Sequence, residues 1–190
     1  IGGDAYVREN FETPALRPPP EQLQIAIAPA SGYGPTYQWP LERFKEVVDM
    51  MDQRYADIEW VILGQVPEKS KDDRCAELDA LLEGRARNFS GIWDLDKILH
   101  ALPYCTALLS CDSEMAHMAA HVGLPTAVIF GPNEPEWKRP LGRQNRVVRE
   151  HVACSPCYLT KCPLDMRCQK EVTADMVVAE LETAMAVRHA

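Results

Sequence analysis

No apolar run in this 190-residue chain approaches the roughly 20 residues that a membrane-spanning helix needs. At most, the protein would associate peripherally with a membrane. The N-terminus is polar and proline-rich, without the apolar stretch of a signal peptide. An excess of positive charge is also missing: 20 Lys and Arg stand against 28 Asp and Glu, for a net charge of −8. A non-specific nucleic-acid binder needs a net basic surface, so nucleic acid is not an expected partner. No internal repeat appears, which rules out a solenoid. The chain also lacks an initiating Met and opens on Ile1, as a piece of a longer protein would.

What is present fits one well-packed domain, with 46% hydrophobic and 25% charged residues. Residues 1–22 carry Pro14, Pro18, Pro19 and Pro20 with little periodicity and read as a linker or arm. Residues 23–190 read as the domain. Local basic charge gathers at Lys138, Arg139, Arg143, Arg146 and Arg149. Cys75, Cys105 and Cys111 fall in apolar strand or helix contexts, and the cysteine total of seven is odd. That pattern suits a reduced, cytoplasmic protein better than a secreted disulfide scaffold.

Apolar periodicity predicts strands at Ile25–Ala28, Trp60–Leu63, Ala86–Phe89 and Arg146–Arg149. Between them, helices are predicted from Pro40 to about Tyr55 and from Lys71 to Leu82. Another follows Asp94, with Leu95, Ile98, Leu99 and Leu102 inward. A last helix starts at Thr173 or Ala174, with Met176, Val177, Ala179, Leu181 and Met185 as its apolar face. Strands alternating with helices imply an α/β fold, a Rossmann-like parallel sheet with helices on both faces.

The richest segment is Leu108 to Pro132. An apolar run ends in Asp112-Ser113, a helix carries His117 in its first turn, and a second apolar run stops at Gly131-Pro132. This is a βαβ unit with polar residues at the strand's carboxyl end. Open α/β sheets bind ligands there, and helix N-termini favour anions. Asp112, Ser113 and His117 are therefore candidate phosphate-side residues, although Asp112 or Ser113 as a plain helix cap is the competing reading. Ser31, Gly32 and Gly34 form a small-residue loop after the first strand, either facing the same cleft or serving as an ordinary βα turn. Lys138 and Arg139 could bind phosphate or form a solvated surface pair. His121 lies four residues past His117 without the Glu of a metalloprotease motif, and reads as a packed or surface residue.

The remaining cysteines, Cys154, Cys157, Cys162 and Cys168, have the spacing Cys-x2-Cys-x4-Cys-x5-Cys within a loop at 150–170. Free thiols, disulfides and a tetrahedral zinc site all remain open. The first pair has zinc-like spacing, the second is wider than a zinc ribbon's, and the run differs from those of iron–sulfur proteins.

Several stretches, in order, resemble one family. They are Ala28-Pro29-Ala30, Gly34-Pro35-Thr36-Tyr37-Gln38-Trp39-Pro40, Val61-Ile62-Leu63-Gly64 and Phe89-Ser90-Gly91. Asp112-Ser113 with His117, Phe130-Gly131-Pro132, and Cys154-Ser155-Pro156-Cys157 with Cys162-Pro163 and Cys168 complete the series. Residues 24–185 thereby resemble the C-terminal half of glycosyltransferase family 9, the bacterial heptosyltransferases of lipopolysaccharide core synthesis.

The resemblance implies the donor-binding C-terminal domain of a GT-B enzyme that inverts configuration and requires no metal cofactor. Its donor would be an ADP-sugar, with ADP-heptose expected, and its acceptor a lipopolysaccharide core sugar at the inner face of the inner membrane. The general base would lie in a separate N-terminal domain. Asp112, Ser113, His117, Ser31, Gly32 and Tyr37 would contact the donor, with adenine near Ser90-Gly91. Two positions depart from the family pattern: Glu114 stands where the family has Gly, and Tyr37 stands where it has a phosphate-contacting Lys. Lys138 or Arg139 could supply the missing charge. The same fold with another nucleotide-sugar, such as a UDP-hexose, and a degenerate binding module are the alternatives.

Overall fold

The computed structural model describes residues 22–64 and 73–188. The predicted arm therefore lies outside the described residues except for Gln22, as do Lys71 and Asp72 of the second predicted helix. Six strands form one sheet: β1 (Gln24–Ala28), β2 (Glu59–Ile62), β3 (Ala86–Asn88), β4 (Ala107–Cys111), β5 (Thr126–Ile129) and β6 (Arg146–Val148). Their order is β3-β2-β1-β4-β5-β6, and every pairing is parallel. This is the doubly wound order in which the crossovers reverse between the two central strands.

Parallel strands need long connections, and helices supply them. The main ones are α1 (Leu41–Arg54), α2 (Arg74–Leu82), α3 (Leu95–Ala101) and α4 (Glu114–His121). Two one-turn helices, α5 (Pro135–Lys138) and α6 (Arg167–Lys170), punctuate the later loops, and α7 (Ala174–Arg188) ends the fold. Neither α5 nor α6 is legible as periodicity, because each is a single turn. Asp73 and Asp94 cap α2 and α3, accepting from Ala76 N at 3.1 Å and Lys97 N at 2.9 Å.

The four inner strands, β2, β1, β4 and β5, are largely apolar on both faces, as a covered parallel sheet requires. Ile25, Ile27, Trp60, Ile62 and Leu109 pack with α1, α2 and α7. Ala26, Ala28, Val61, Leu63 and Leu108 meet α3 and α4 through Ile98, Leu102, Met115 and Ala119. Two predicted inward residues face out instead: Leu95 is exposed, and so is Ala179. Leu95 is the first residue of the short α3, directly after its Asp94 cap. On α7, Val177, Val178, Leu181, Ala184 and Met185 are buried, a stripe that turns Ala179 outward.

Trp39 links this core to the carboxyl edge of the sheet. It is fully buried, meets the Phe44 ring edge-on at 5.0 Å, and donates its indole N–H to the Val172 carbonyl at 3.2 Å. Replacing Trp39 with Ala should cost about 3–5 kcal/mol, from the lost aromatic volume and the carbonyl left unpaired. Urea unfolding of the two proteins measures it, and a loss under about 1 kcal/mol would contradict this packing role.

Candidate functional site

β1 and β4 lie side by side, so the loops leaving their carboxyl ends meet. The register pairs Ala28 with Ser110, only a few residues from each loop. Ser31 is buried and donates its hydroxyl to the Asp112 carbonyl at 2.7 Å, closing the junction. Tyr33 N reaches the same hydroxyl at 3.4 Å. Arg74 braces the β1 loop from below, donating to the Pro29 carbonyl at 3.1 Å and also to the Trp39 carbonyl. The Cys111 thiol lies beneath the loop and donates to the Pro29 carbonyl at 3.4 Å. Burial pushes that thiol up to about 11, so it stays neutral.

Asp112 is only 2% exposed. One carboxylate oxygen, Oδ2, accepts from Asn133 Nδ2 at 2.5 Å. Burial pushes the carboxyl up to about 6, against the Asn133 hydrogen bond and the Lys138 charge, which both favour ionisation. Ser113 is wholly buried and shares a hydrogen bond with the Ser110 hydroxyl at 3.0 Å. It occupies the N-cap position of α4, yet its side chain makes no cap hydrogen bond. The plain capping reading therefore fails for both residues: Asp112 is turned to Asn133 and Ser113 to Ser110. The first-turn amides of α4 have no side-chain cap and suit an anion.

His117, on that first turn, is exposed. Protonation is disfavoured, first by the surrounding protein and then by the Lys138 charge, with Glu114 acting the other way. Lys138, at the end of α5, is exposed and has no ion-pair partner among the described residues. It acts electrostatically on both Asp112 and His117, so the fold brings these three residues together. Arg139 goes elsewhere. It lines an open cleft of about 450 Å³ with Glu134, Arg149 and His151.

Tyr37 lies on a short 3-10 turn, Pro35–Tyr37, and is buried. Its ring stands 5.3 Å from that of Tyr33, and its hydroxyl makes a long, 3.5 Å hydrogen bond to Asn133 Oδ1. Burial and then the Asp112 charge raise its pKa, so the hydroxyl remains a donor. Glu114 is exposed but does not swing clear of the site. Its carboxylate borders the β1 loop, since a β-carbon on Gly32 would stand in ordinary contact with Glu114 Oε2 at 3.9 Å. At the far strands, Ser90 bonds Asn88 Oδ1 through its amide at 2.9 Å and its hydroxyl at 2.6 Å, while Phe89 stacks on Trp93 at 3.9 Å.

The cysteine loop forms one wall. Cys157 N and Tyr158 N donate to the Pro132 carbonyl at 3.0 and 2.9 Å. Ser155 donates to the Gly131 carbonyl at 2.6 Å, and Thr36 to that of Leu159. Gln169, fully buried on α6, donates to the Thr36 carbonyl at 2.8 Å. Gly131 leaves room for it, because a β-carbon there would fall 2.4 Å from Gln169 Nε2. All four cysteines of the loop are free. Cys168 is buried and pushed up to about 11, by burial and then by its three neighbouring thiols. Among the described residues no three Cys, His, Asp or Glu side chains are grouped so as to hold a metal.

Sequence reasoning missed Asn133, Gln169 and Ser110. Asn133 had a signal, since it follows Gly131-Pro132 at the end of an apolar run, where a turn re-enters the carboxyl edge. Gln169 and Ser110 had none. Their roles come from contacts across 133 residues of chain for Gln169 with Thr36 and from burial within β4 for Ser110.

The model of glycosyltransferase family 9 (heptosyltransferase) matches residues 4–167. Lipopolysaccharide heptosyltransferase 2 of Escherichia coli strain K12 is 26% identical over 150 residues, which are 78% of this chain and 41% of that protein. Among solved structures, E. coli ADP-heptose lps heptosyltransferase II superposes with a TM-score of 0.73 at 22% identity, covering 100% of this chain and 53% of its own. E. coli heptosyltransferase WaaC with ADP gives a TM-score of 0.65 at 16% identity, covering 95% of this chain and 48% of its own. The chain thus spans about half, or less, of the length of these relatives. Over most of its own length it matches one family's pattern, and it belongs to glycosyltransferase family 9, the heptosyltransferases.

Proposed function

We propose that this chain is the donor-binding half of an inverting glycosyltransferase that moves heptose from ADP-heptose to a lipopolysaccharide core acceptor. The observation that carries the reading is the β1–β4 junction. Ser31, Asp112, Ser113, the uncapped start of α4, His117 and Lys138 converge at the switch point of a doubly wound sheet. The heptosyltransferases similar to this chain, one of them solved with ADP, agree with such a donor.

In this reading the α4 amides and Lys138 receive the diphosphate. As an acceptor hydroxyl attacks the anomeric carbon, the bond to the diphosphate breaks, and negative charge grows on the departing ADP. Fixed amide dipoles and a nearby cation stabilise that charge. The acceptor's proton passes to a base in the N-terminal half of the protein, which also shapes the acceptor site. Adenine rests near Ser90-Gly91. The work takes place at the cytoplasmic face of the inner membrane, and no helix among the described residues is long and apolar enough to cross it.

Tyr37 and Glu114 favour a second reading, in which the donor is another nucleotide-sugar or the domain only binds. Tyr37 is buried and neutral, and the Glu114 carboxylate faces the Gly32 loop. In the first reading Lys138, which acts on Asp112 and His117, supplies the cation that Tyr37 does not. Calorimetric titration with ADP, UDP and GDP separates the readings. ADP should bind selectively, and binding should vanish in an Asp112→Ala, His117→Ala double variant. Lys138→Ala should weaken ADP by up to about tenfold, less so at high salt. Selectivity for UDP would favour the other donor, and no nucleotide binding at millimolar concentration would sink the donor-domain reading.

We further propose that the reaction needs no metal and that the cysteine loop carries thiols held by main-chain bonds. Elemental analysis of the purified protein should find zinc and iron well below one atom per chain. A stoichiometric metal, released when Cys157 and Cys168 are changed to Ser, would reverse this assignment.

A further inference from the structure

Asn133 lies between two polar groups. The Tyr37 hydroxyl, which can donate or accept, faces Oδ1 at 3.5 Å. The Asp112 carboxylate is an acceptor and faces Nδ2 at 2.5 Å. An amide can turn end for end, exchanging its oxygen and its NH2 group. Here the carboxylate selects one orientation, because the reverse would set the amide oxygen against it. The Tyr37 hydroxyl suits either orientation by turning its hydrogen. All three side chains are buried, so an unmatched pair would be costly.

The consequence falls on Asp112. Its Oδ2 is held by Asn133 and its main-chain carbonyl by Ser31. Among the described residues Oδ1 has no protein donor, and it does not count among the fully buried orphan atoms. We propose that Asn133 is a positioning residue that fixes the Asp112 carboxylate with one oxygen bound and the other left to accept from a hydroxyl of the donor's sugar. The last clause rests on the nucleotide-sugar reading above. The first does not.

The charged and titratable groups around this carboxylate come from four elements. Lys138 approaches from α5, Tyr37 from the β1 loop and Cys111 from β4 itself, while His117 and Glu114 of α4 both interact with that region, His117 directly with Lys138. Of these only Lys138 favours the ionised carboxylate, together with the Asn133 amide. Removing the amide therefore makes Asp112 harder to ionise.

Isotope-edited NMR of the aspartate carboxyl carbons, in the ligand-free chain, reads this directly. The Asp112 signal is assigned by its loss in Asp112→Asn. The wild-type midpoint should lie near pH 6. Asn133→Ala, and Asn133→Leu, which keeps the volume without the donor, should each raise it by on the order of one unit. Thermal melts establish that the variants are folded. An unchanged midpoint in folded Asn133→Ala overturns the positioning role. If that variant does not fold, an unchanged midpoint in folded Asn133→Leu does so.

Binding tests the ligand clause. Asn133→Ala should weaken ADP-heptose by about three- to tenfold while leaving ADP nearly unchanged, the loss of one oriented hydrogen bond to sugar. An equal loss for both ligands overturns the assignment of Oδ1 to the sugar. If wild-type protein binds neither ligand, the nucleotide-sugar reading itself fails, and the carboxyl titration still decides the positioning role.

Discussion

The hydrogen bond from Ser31 to the Asp112 carbonyl is short and local, yet the arrangement of the carboxyl edge depends on it. It exists because β1 and β4, 82 residues apart at their paired ends, are neighbours in the sheet. Helical crossovers leave β1 toward one side and β4 toward the other. The two loops therefore diverge and open a crevice between them, and Ser31 closes its floor. Each further contact builds on that floor. Arg74 braces the β1 loop beneath it, Asn133 reaches across from the end of β5, and α4 starts at its edge.

Burial supplies the chemistry of this crevice. A carboxyl that is 2% exposed is costly to ionise, and the fold offsets that cost with one amide and one lysine. Asp112 is thereby poised near pH 6, where an exposed aspartate would be fully ionised. His117 is displaced in the other direction, toward neutrality, partly by the same lysine. Lys138 is thus the charge on which both groups depend, although it lies on a helix of only four residues. The wall behind it is the cysteine loop, attached through main-chain carbonyls at Gly131, Pro132 and Thr36. These bonds engage the main chain of Cys157 and Tyr158 and the side chains of Ser155 and Gln169 but no thiol, and the thiols differ in environment, from exposed Cys154 to buried Cys168.

Much of this was legible in the chain. Two-sided apolar runs of four or five residues could only be covered parallel strands, and their alternation with amphipathic segments dictated the layers. The Asp112-Ser113 turn and the helix with His117 were legible because polar residues at the end of a buried strand have few structural reasons to be there. The misjudged positions have a common cause. Leu95 and Ala179 lie on correctly predicted helices whose rotation is set by what they pack against, and periodicity cannot supply that. The one-turn helices α5 and α6 are too short to show a period.

The sequence by itself determined the sheet, its parallel sense, the family and the positions of the polar turns, because each of these follows from local patterns of burial and turn chemistry. Only the tertiary structure decided what those turns do. Asp112 or Ser113 as a plain helix cap was a competing reading until Asn133 and Ser110 proved to be their partners. Tyr37 read as a departure from a cationic position until the fold buried it with its hydroxyl toward Asn133. Lys138 and Arg139 are adjacent in the chain but face different clefts. Hydrogen-bond direction and charge proximity depend on distances across the fold, between residues that no spacing in the chain brings together.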